Sequence, residues 1–297
     1  MTEPERGVVR RGRLAFSTLA LGDGPLVLCL HGFPDNAGSY RHQLPALAQA
    51  GYRAMSMTLR GYEPSSLPDD ADYALEALAG DVVACLDDLG VERAHLVGHD
   101  WGAAIAYTAG GEWPQRFLSL TTMAVPHAGR FLTEAPGHPK QLLLSWYMLF
   151  FQLRGIADYV VERRDFRFIE RLWRSWSPGW DFPREVIEDV IATLGQPGVK
   201  KAALGYYRAS LSLGALPVTP GRRRAARYKV AVPTLAMTGE KDGCIDSEVF
   251  QDLMHPEDFP GGLEVRCIPG AGHFLHQEDP ETINGFLLEW LAKNSPE

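Results

Sequence analysis

The sequence of 297 residues predicts an α/β protein in which helices flank an open, mostly parallel sheet. Short continuous apolar runs such as Leu26–Leu30 are typical of strands that are buried on both faces of such a sheet. Segments with apolar residues at helical spacing alternate with these runs along the chain. Near the middle the alternation stops, because the patterns become helical and no strand-like run stands out. We therefore expect a sheet with an all-helical insertion in one of its connections.

The individual elements follow from the same patterns and from Gly and Pro residues that end them. In the first half, strands are predicted at 14–21, 26–30, 52–58, in the run that begins at Ala94, and at 118–124, with helices at 44–50, 73–89 and 101–110. In the second half, helices are predicted at 158–173, 184–194 and 283–291, and strands at 230–238 and 263–268. Composition divides the chain into core residues 1–128, an aromatic-rich helical lid at 129–220, and core residues 221–297.

Composition and charge restrict the class of function. Hydrophobic residues make up 45% of the chain and charged residues 22%, which is ordinary for a soluble globular protein. The net charge of -8 argues against nucleic acid as a partner. The basic run at 222–224 is short, so we interpret it as a solvated loop rather than a binding patch.

The cysteines and the apolar segments bear on location. None of the four cysteines forms a Cys-x-x-Cys pair, so the sequence predicts no metal site and no redox motif. The polar N-terminus lacks the apolar region of a signal peptide, and the apolar segment at 141–153 is too short to span a bilayer. We expect a reduced, cytoplasmic protein that does not interact with membranes.

The segment Gly98-His99-Asp100-Trp101-Gly102 has the form Gly-x-nucleophile-x-Gly. Such a segment is typical of a sharp turn from a buried strand into a helix, where the middle side chain projects into a site. The middle residue is most often Ser, whereas here it is Asp100. A carboxylate that attacks an electrophilic sp3 carbon forms an ester that water can later cleave. The alternative interpretation is a Gly-flanked turn with a solvated Asp.

Two further residues complete a catalytic set in sequence order. Asp242 follows the strand at 230–238, and His273 follows the strand at 263–268. The carboxyl ends of parallel strands meet at one edge of a sheet, so both side chains are expected near Asp100. The order nucleophile, acid, histidine supports this hypothesis. Alone, a loop His or a post-strand Asp is more often structural.

An oxyanion hole is predicted from the segment His31-Gly32-Phe33-Pro34, which follows an earlier strand. We assign its donors to the backbone amides of Phe33 and Trp101.

These motifs together resemble an α/β-hydrolase of the epoxide hydrolase family over essentially the whole length of the chain. The matching residues are His31-Gly32-Phe33-Pro34, Leu59-Arg60-Gly61-Tyr62, Gly98-His99-Asp100-Trp101-Gly102, Asp242 and Gly272-His273-Phe274. The resemblance implies an eight-stranded, mostly parallel sheet and a cis peptide bond between Phe33 and Pro34. It also implies that neither a metal nor an organic cofactor is needed.

Two lid tyrosines are assigned from this resemblance as donors to the epoxide oxygen. Tyr207 matches a Tyr-Arg pair near the end of the lid, and Tyr147 matches an aromatic stretch at its beginning. Tyr206 is the alternative to Tyr207, because the match could slip by one residue. The other interpretation is that these tyrosines are aromatic residues of the lid core. We also assign substrate contacts to Trp101, Phe33 and Tyr206.

The implied reaction converts a small apolar epoxide and water into a vicinal diol. Asp100 attacks an epoxide carbon while Tyr147 and Tyr207 together stabilise and protonate the departing oxygen. His273, oriented by Asp242, then activates water to cleave the ester. We expect a monomer or a homodimer whose partners are the epoxide and water.

Two alternatives remain open. Haloalkane dehalogenases also use an Asp followed by Trp, so Trp101 is compatible with halide binding. Their second halide donor is commonly an Asn after His-Gly, where this chain has Phe33. The same fold could also serve as a non-catalytic receptor for small molecules. Turnover of a generic aryl epoxide distinguishes the receptor from the enzyme.

Overall fold

The computed structural model describes residues 3–210 and 229–295, and within them eight strands form one sheet. The strands are β1 (Glu5–Arg11), β2 (Leu14–Leu21), β3 (Leu26–Leu30), β4 (Arg53–Met57), β5 (Ala94–His99), β6 (Phe117–Met123), β7 (Thr234–Gly239) and β8 (Leu263–Ile268). Their spatial order is β1-β2-β4-β3-β5-β6-β7-β8. The first two strands pair antiparallel with their neighbours, and all later pairings are parallel. The prediction of an eight-stranded, mostly parallel sheet is confirmed.

Two strands differ from the sequence prediction by more than one residue at an end. Strand β1 was not predicted, because it is an edge strand in which only Val9 is buried and no apolar pattern forms. Strand β7 begins at Thr234 instead of residue 230. Its start follows Pro233, which has no N–H for the ladder, and the amide of Val230 donates instead to the carbonyl of Asp258 at 2.7 Å.

Twelve α-helices are present in the described residues. They are α1 (Gln43–Gln49), α2 (Leu75–Asp88), α3 (Trp101–Glu112), α4 (Ala128–Glu134), α5 (Pro139–Leu144), α6 (Trp146–Phe150), α7 (Ile156–Trp176), α8 (Arg184–Leu194), α9 (Val199–Ser210), α10 (Ser247–Asp252), α11 (Leu275–Glu278) and α12 (Pro280–Asn294). Helix α8 has the predicted bounds. Helix α7 contains non-helical backbone at 163–166, which the apolar spacing did not indicate.

The central strand β3 explains why its sequence is continuously apolar. Leu28 and Leu30 belong to the hydrophobic cluster that includes residues of α2 and α3. The intervening Val27 and Cys29 belong to a second cluster with residues of α1 and α12. Because alternate side chains of a strand point to opposite faces, both faces of β3 are covered and every residue is apolar.

Helices α4–α9 lie between β6 and β7, and we call them the lid. Between residues 129 and 210 the described chain has helices and no strand. The predicted lid end at residue 220 and the basic run at 222–224 lie outside the described residues. The division at 1–128, 129–220 and 221–297 therefore stays a prediction. No helix in the described part of the chain is long and apolar enough to cross a membrane.

Candidate active site

Asp100 lies at a strained turn between β5 and α3. Its backbone has φ 52° and ψ -117°, a conformation that is unusual for a residue with a side chain. The flanking glycines are required by close packing. A Cβ atom at Gly98 would lie 2.2 Å from the carbonyl oxygen of Gly102, and one at Gly102 would lie 2.1 Å from that of Leu30. The turn therefore has the geometry that the Gly-x-Asp-x-Gly segment predicts.

The structure brings Asp242 and His273 to the side of Asp100. Asp242 follows β7, and its Oδ2 lies 2.9 Å from Nδ1 of His273. The other ring nitrogen, Nε2, lies 3.7 Å from Oδ2 of Asp100. The second oxygen of Asp242 accepts the backbone N–H groups of Cys244 at 2.7 Å and Ile245 at 3.0 Å. Because Asp242 fixes the ring through Nδ1, Nε2 of His273 faces the nucleophile.

The two predicted oxyanion donors both stabilise the charge of the Asp100 carboxylate. The amide of Phe33 donates to Oδ1 at 2.6 Å, and the amide of Trp101 also acts to lower the pKa of this carboxyl. The Phe33–Pro34 peptide bond is cis, as the resemblance implied.

The imidazole of His31 holds the segment His31-Gly32-Phe33-Pro34 in place. Its Nδ1 donates to the carbonyl of Gly32 at 3.0 Å, and its Nε2 accepts the amide of Leu59 at 3.1 Å. These bonds require a neutral ring, and burial lowers the pKa of His31 to about 4.

The electrostatics of the site favour proton transfer near neutral pH. Burial raises the pKa of Asp100 to about 6, although His273 and the amides of Phe33 and Trp101 oppose the rise. For His273, burial disfavours the imidazolium, but the carboxylates of Asp242 and Asp100 outweigh it. The pKa of His273 is therefore raised above its ordinary value of 6.5. A carboxylate nucleophile and a histidine base can both function in this pH range.

Tyr147 and Tyr207 lie in one cavity with Asp100. Their rings are edge to face, with centroids 5.6 Å apart. The hydroxyl of Tyr147 lies 3.3 Å from Sγ of Cys244. Among the described residues, the buried hydroxyl of Tyr207 makes no hydrogen bond of normal geometry, although the nearby Trp101 side chain opposes the rise of its pKa. Burial raises the pKa of both tyrosines well above 10, so both keep their protons.

Tyr206 points elsewhere. Its hydroxyl donates to the carbonyl of Arg60 at 2.6 Å, and its ring stacks on Tyr73. The guanidinium of Arg60 is in turn paired with Asp81 at 2.6 Å, and both side chains are buried. This geometry favours Tyr207 over Tyr206 as the hydrogen-bond donor.

Of the three side chains assigned to substrate contact, one lines the cavity and two pack behind the residues that line it. Trp101 lines the cavity with Asp100, Tyr147 and Tyr207. Tyr206 lies behind Trp101, with ring centroids 5.3 Å apart. The ring of Phe33 packs edge to face against Tyr207 at 5.3 Å, so it supports the lid tyrosine.

In the described residues, two groups of side chains have the atom types and spacing of metal ligands. Asp35, His99 and His276 form one group, and Asp242, Cys244 and His273 form the other, with potential ligand atoms within 4.8 Å of one another in each. The second group is the acid and base pair itself, in which Nδ1 of His273 is already hydrogen-bonded to Asp242.

Sequence reasoning missed two contributors. Cys244 was interpreted only as a residue outside any Cys-x-x-Cys pair, yet its thiol contacts Tyr147. Arg60 was given no role of its own, yet its side chain is buried and its carbonyl accepts from Tyr206. The Leu59-Arg60-Gly61-Tyr62 segment was part of the resemblance, which was the one signal that could have found Arg60.

Comparisons with known proteins agree with this geometry. The family model for the alpha/beta hydrolase fold matches residues 25–280. Epoxide hydrolase 3 of Xenopus tropicalis is 32% identical over 289 residues, which cover 95% of this chain and 76% of the relative. Epoxide hydrolase A of Mycobacterium tuberculosis is 31% identical, over 90% of each chain. The crystal structure of an epoxide hydrolase from Vigna radiata superposes with a TM-score of 0.83 at 28% identity, over 98% of this chain and 99% of that one. The chain belongs to the epoxide hydrolase family of the α/β-hydrolase fold.

Proposed function

We propose that the protein hydrolyses epoxides to vicinal diols through an ester intermediate on Asp100. The observation that carries this proposal is the combination of groups around one cavity. A carboxylate at a strained turn and two protonated lid tyrosines, Tyr147 and Tyr207, line it together. A carboxylate suits attack on a strained carbon, and phenol hydroxyls suit protonation of the oxygen that leaves.

In the first step Asp100 attacks one carbon of the epoxide, and the bond from that carbon to the epoxide oxygen breaks. The oxygen takes a proton from Tyr147 or Tyr207. Tyr207 is available for this, since its hydroxyl has no hydrogen-bond partner of normal geometry in residues 3–210 and 229–295. The product is a hydroxyalkyl ester of Asp100.

In the second step His273 takes a proton from water, and the hydroxide attacks the ester carbonyl. The oxyanion that forms accepts the amides of Phe33 and Trp101, and the Phe33 amide already donates to the Asp100 carboxylate. Each such donor contributes about 3 kcal/mol in comparable sites. Collapse releases the diol and restores the carboxylate, and the proton on His273 returns to the tyrosine that gave one up.

The substrate class follows from the cavity walls. Around the reactive groups the cavity is lined by apolar side chains that include Phe131, Leu132 and Met148. We therefore propose an apolar epoxide as substrate and water as the second reactant. The four free cysteines support the proposal of a reducing, cytoplasmic location. A monomer or homodimer remains our proposal for the assembly.

The proposal is tested with a panel of substrates. We expect diol formation from aryl and alkyl epoxides, and little halide release from haloalkanes of similar size. Asp100→Asn is the matched control and is expected to abolish diol formation while retaining the fold. Efficient halide release without epoxide turnover would assign the site to dehalogenation, and binding without turnover of any compound would favour a receptor.

A further inference from the structure

The loop that carries the catalytic acid is tied to the lid by a buried glutamine. We call residues 242–246 the acid loop. Gln141, in lid helix α5, is 1% exposed. Its Nε2 donates to the carbonyl of Cys244 at 3.0 Å, and its Oε1 accepts the amide of Asp246 at 2.9 Å. These two bonds attach the helix that precedes Tyr147 to the acid loop.

Cys244 makes a second connection between the same parts. Its amide donates to Oδ1 of Asp242 at 2.7 Å, and its carbonyl accepts from Gln141. Its Sγ lies 3.3 Å from the hydroxyl of Tyr147. All three polar atoms of Cys244 are thus used, and they join the catalytic acid to one lid tyrosine.

The two lid tyrosines differ in this respect. The Tyr147 hydroxyl has a sulfur partner, whereas the Tyr207 hydroxyl has no partner of normal geometry within the part of the chain that the structure describes. Burial raises the pKa of the Cys244 thiol well above its ordinary value, so the thiol is protonated. Whether the phenol or the thiol donates, the contact restricts the direction of the Tyr147 O–H. A thiol hydrogen bond is weak, so an epoxide oxygen can replace it at small cost.

We infer that Gln141 and Cys244 are positioning residues that orient the Tyr147 hydroxyl toward the epoxide oxygen. This inference rests on the proposed function. It implies that removing either contact slows ring opening through Tyr147 alone. Hydrolysis of the ester is unaffected, because Asp242 is held by the backbone amide of Cys244 and not by its side chain.

The test is a double-mutant cycle in single-turnover experiments with styrene oxide and excess enzyme. Formation and decay of the ester are followed by quenched-flow intact mass spectrometry. Cys244→Val fills the space without a polar atom, and we expect it to slow ring opening about fivefold. In a Tyr147→Phe background the same change should have no further effect. In a Tyr207→Phe background it should again cost about fivefold.

A second variant guards against loss of the fold. Gln141→Met keeps the length of the side chain without its hydrogen bonds, and thermal unfolding identifies any variant that does not fold. We expect it to slow ring opening in the parent protein but not in the Tyr147→Phe background. An equal loss in both backgrounds would overturn the inference, as would ring opening by Cys244→Val at the parent rate. Failure of the parent protein to open the epoxide would instead refute the proposed function.

Discussion

Replacement of the nucleophile should stabilise the protein while it abolishes activity. The carboxyl of Asp100 is 4% exposed, and burial raises its pKa from 3.8 to about 6. Ionisation of this group therefore lowers the free energy of unfolding. The rise corresponds to about 3 kcal/mol at pH 8, where the carboxylate is charged in both the folded and the unfolded chain.

The sign of the effect follows from the raised pKa. The cost is present above pH 6, decreases as the carboxyl becomes protonated in the folded state, and is small below pH 4. Asp100→Asn removes the charge, and its side-chain oxygen can still accept the amide of Phe33. The variant should be more stable than the parent by about 3 kcal/mol at pH 8 but only about 1 kcal/mol at pH 4.5.

Urea unfolding followed by tryptophan fluorescence at the two pH values measures this difference. Asp23→Asn, at an exposed turn between β2 and β3, is the control and should leave stability within about 0.5 kcal/mol of the parent. An Asp100→Asn variant that is no more stable at pH 8 than at pH 4.5, each relative to the parent, would refute the reasoning that burial strains this carboxylate.

Two further predictions concern the lid and the pH dependence. Tyr147→Phe and Tyr207→Phe should each slow ring opening, and together nearly abolish it, whereas Tyr206→Phe should chiefly lower stability because its hydroxyl bonds to the Arg60 carbonyl. Single-turnover rates and thermal unfolding of the four variants check this. Ring opening should fall as pH decreases through about 6, because Asp100 must be ionised. Ester hydrolysis requires neutral His273. Because esterified Asp100 carries no charge, it no longer raises the pKa of His273, so hydrolysis should persist to lower pH than the raised pKa of His273 in the free enzyme implies. Quenched single-turnover experiments from pH 5 to 9 measure the rates of ring opening and of ester hydrolysis separately.

The motifs at strand ends were predictable because their positions depend on local sequence. A side chain at Gly98 or Gly102 would collide with backbone atoms, so the two glycines in the sequence are enough to predict the turn that presents Asp100. Asp242 and His273 each follow a buried strand, and parallel strands bring such residues to one edge. The positions of Asp100, Asp242 and His273 after three such strands are therefore enough to predict that they lie together.

Contacts that depend on the packing of distant segments were not predictable. Cys244 and Tyr147 are separated by 97 residues, and nothing near either one indicates that they meet. Tyr206 and Tyr207 are neighbours on one helix, and adjacent side chains on a helix point about 100° apart. A sequence match that could slip by one residue therefore left open which of the two faces the cavity. The bond from Tyr206 to the Arg60 carbonyl provides the physical reason for the choice.

We propose that Asp100 forms a covalent ester with the substrate during turnover. Water attacks the carbonyl of that ester, so one oxygen of the Asp100 carboxylate is replaced in each cycle. A single turnover of an epoxide in 18O-labelled water, with enzyme in excess, measures where the label goes.

We expect label in the peptide that contains Asp100 and a diol that is largely unlabelled. With His273→Gln, which lacks the base, the ester should accumulate and the protein should be heavier by one substrate mass on the same peptide. Label in the diol at the first turnover, with no adduct on Asp100, would contradict the covalent mechanism and show that Asp100 only activates water.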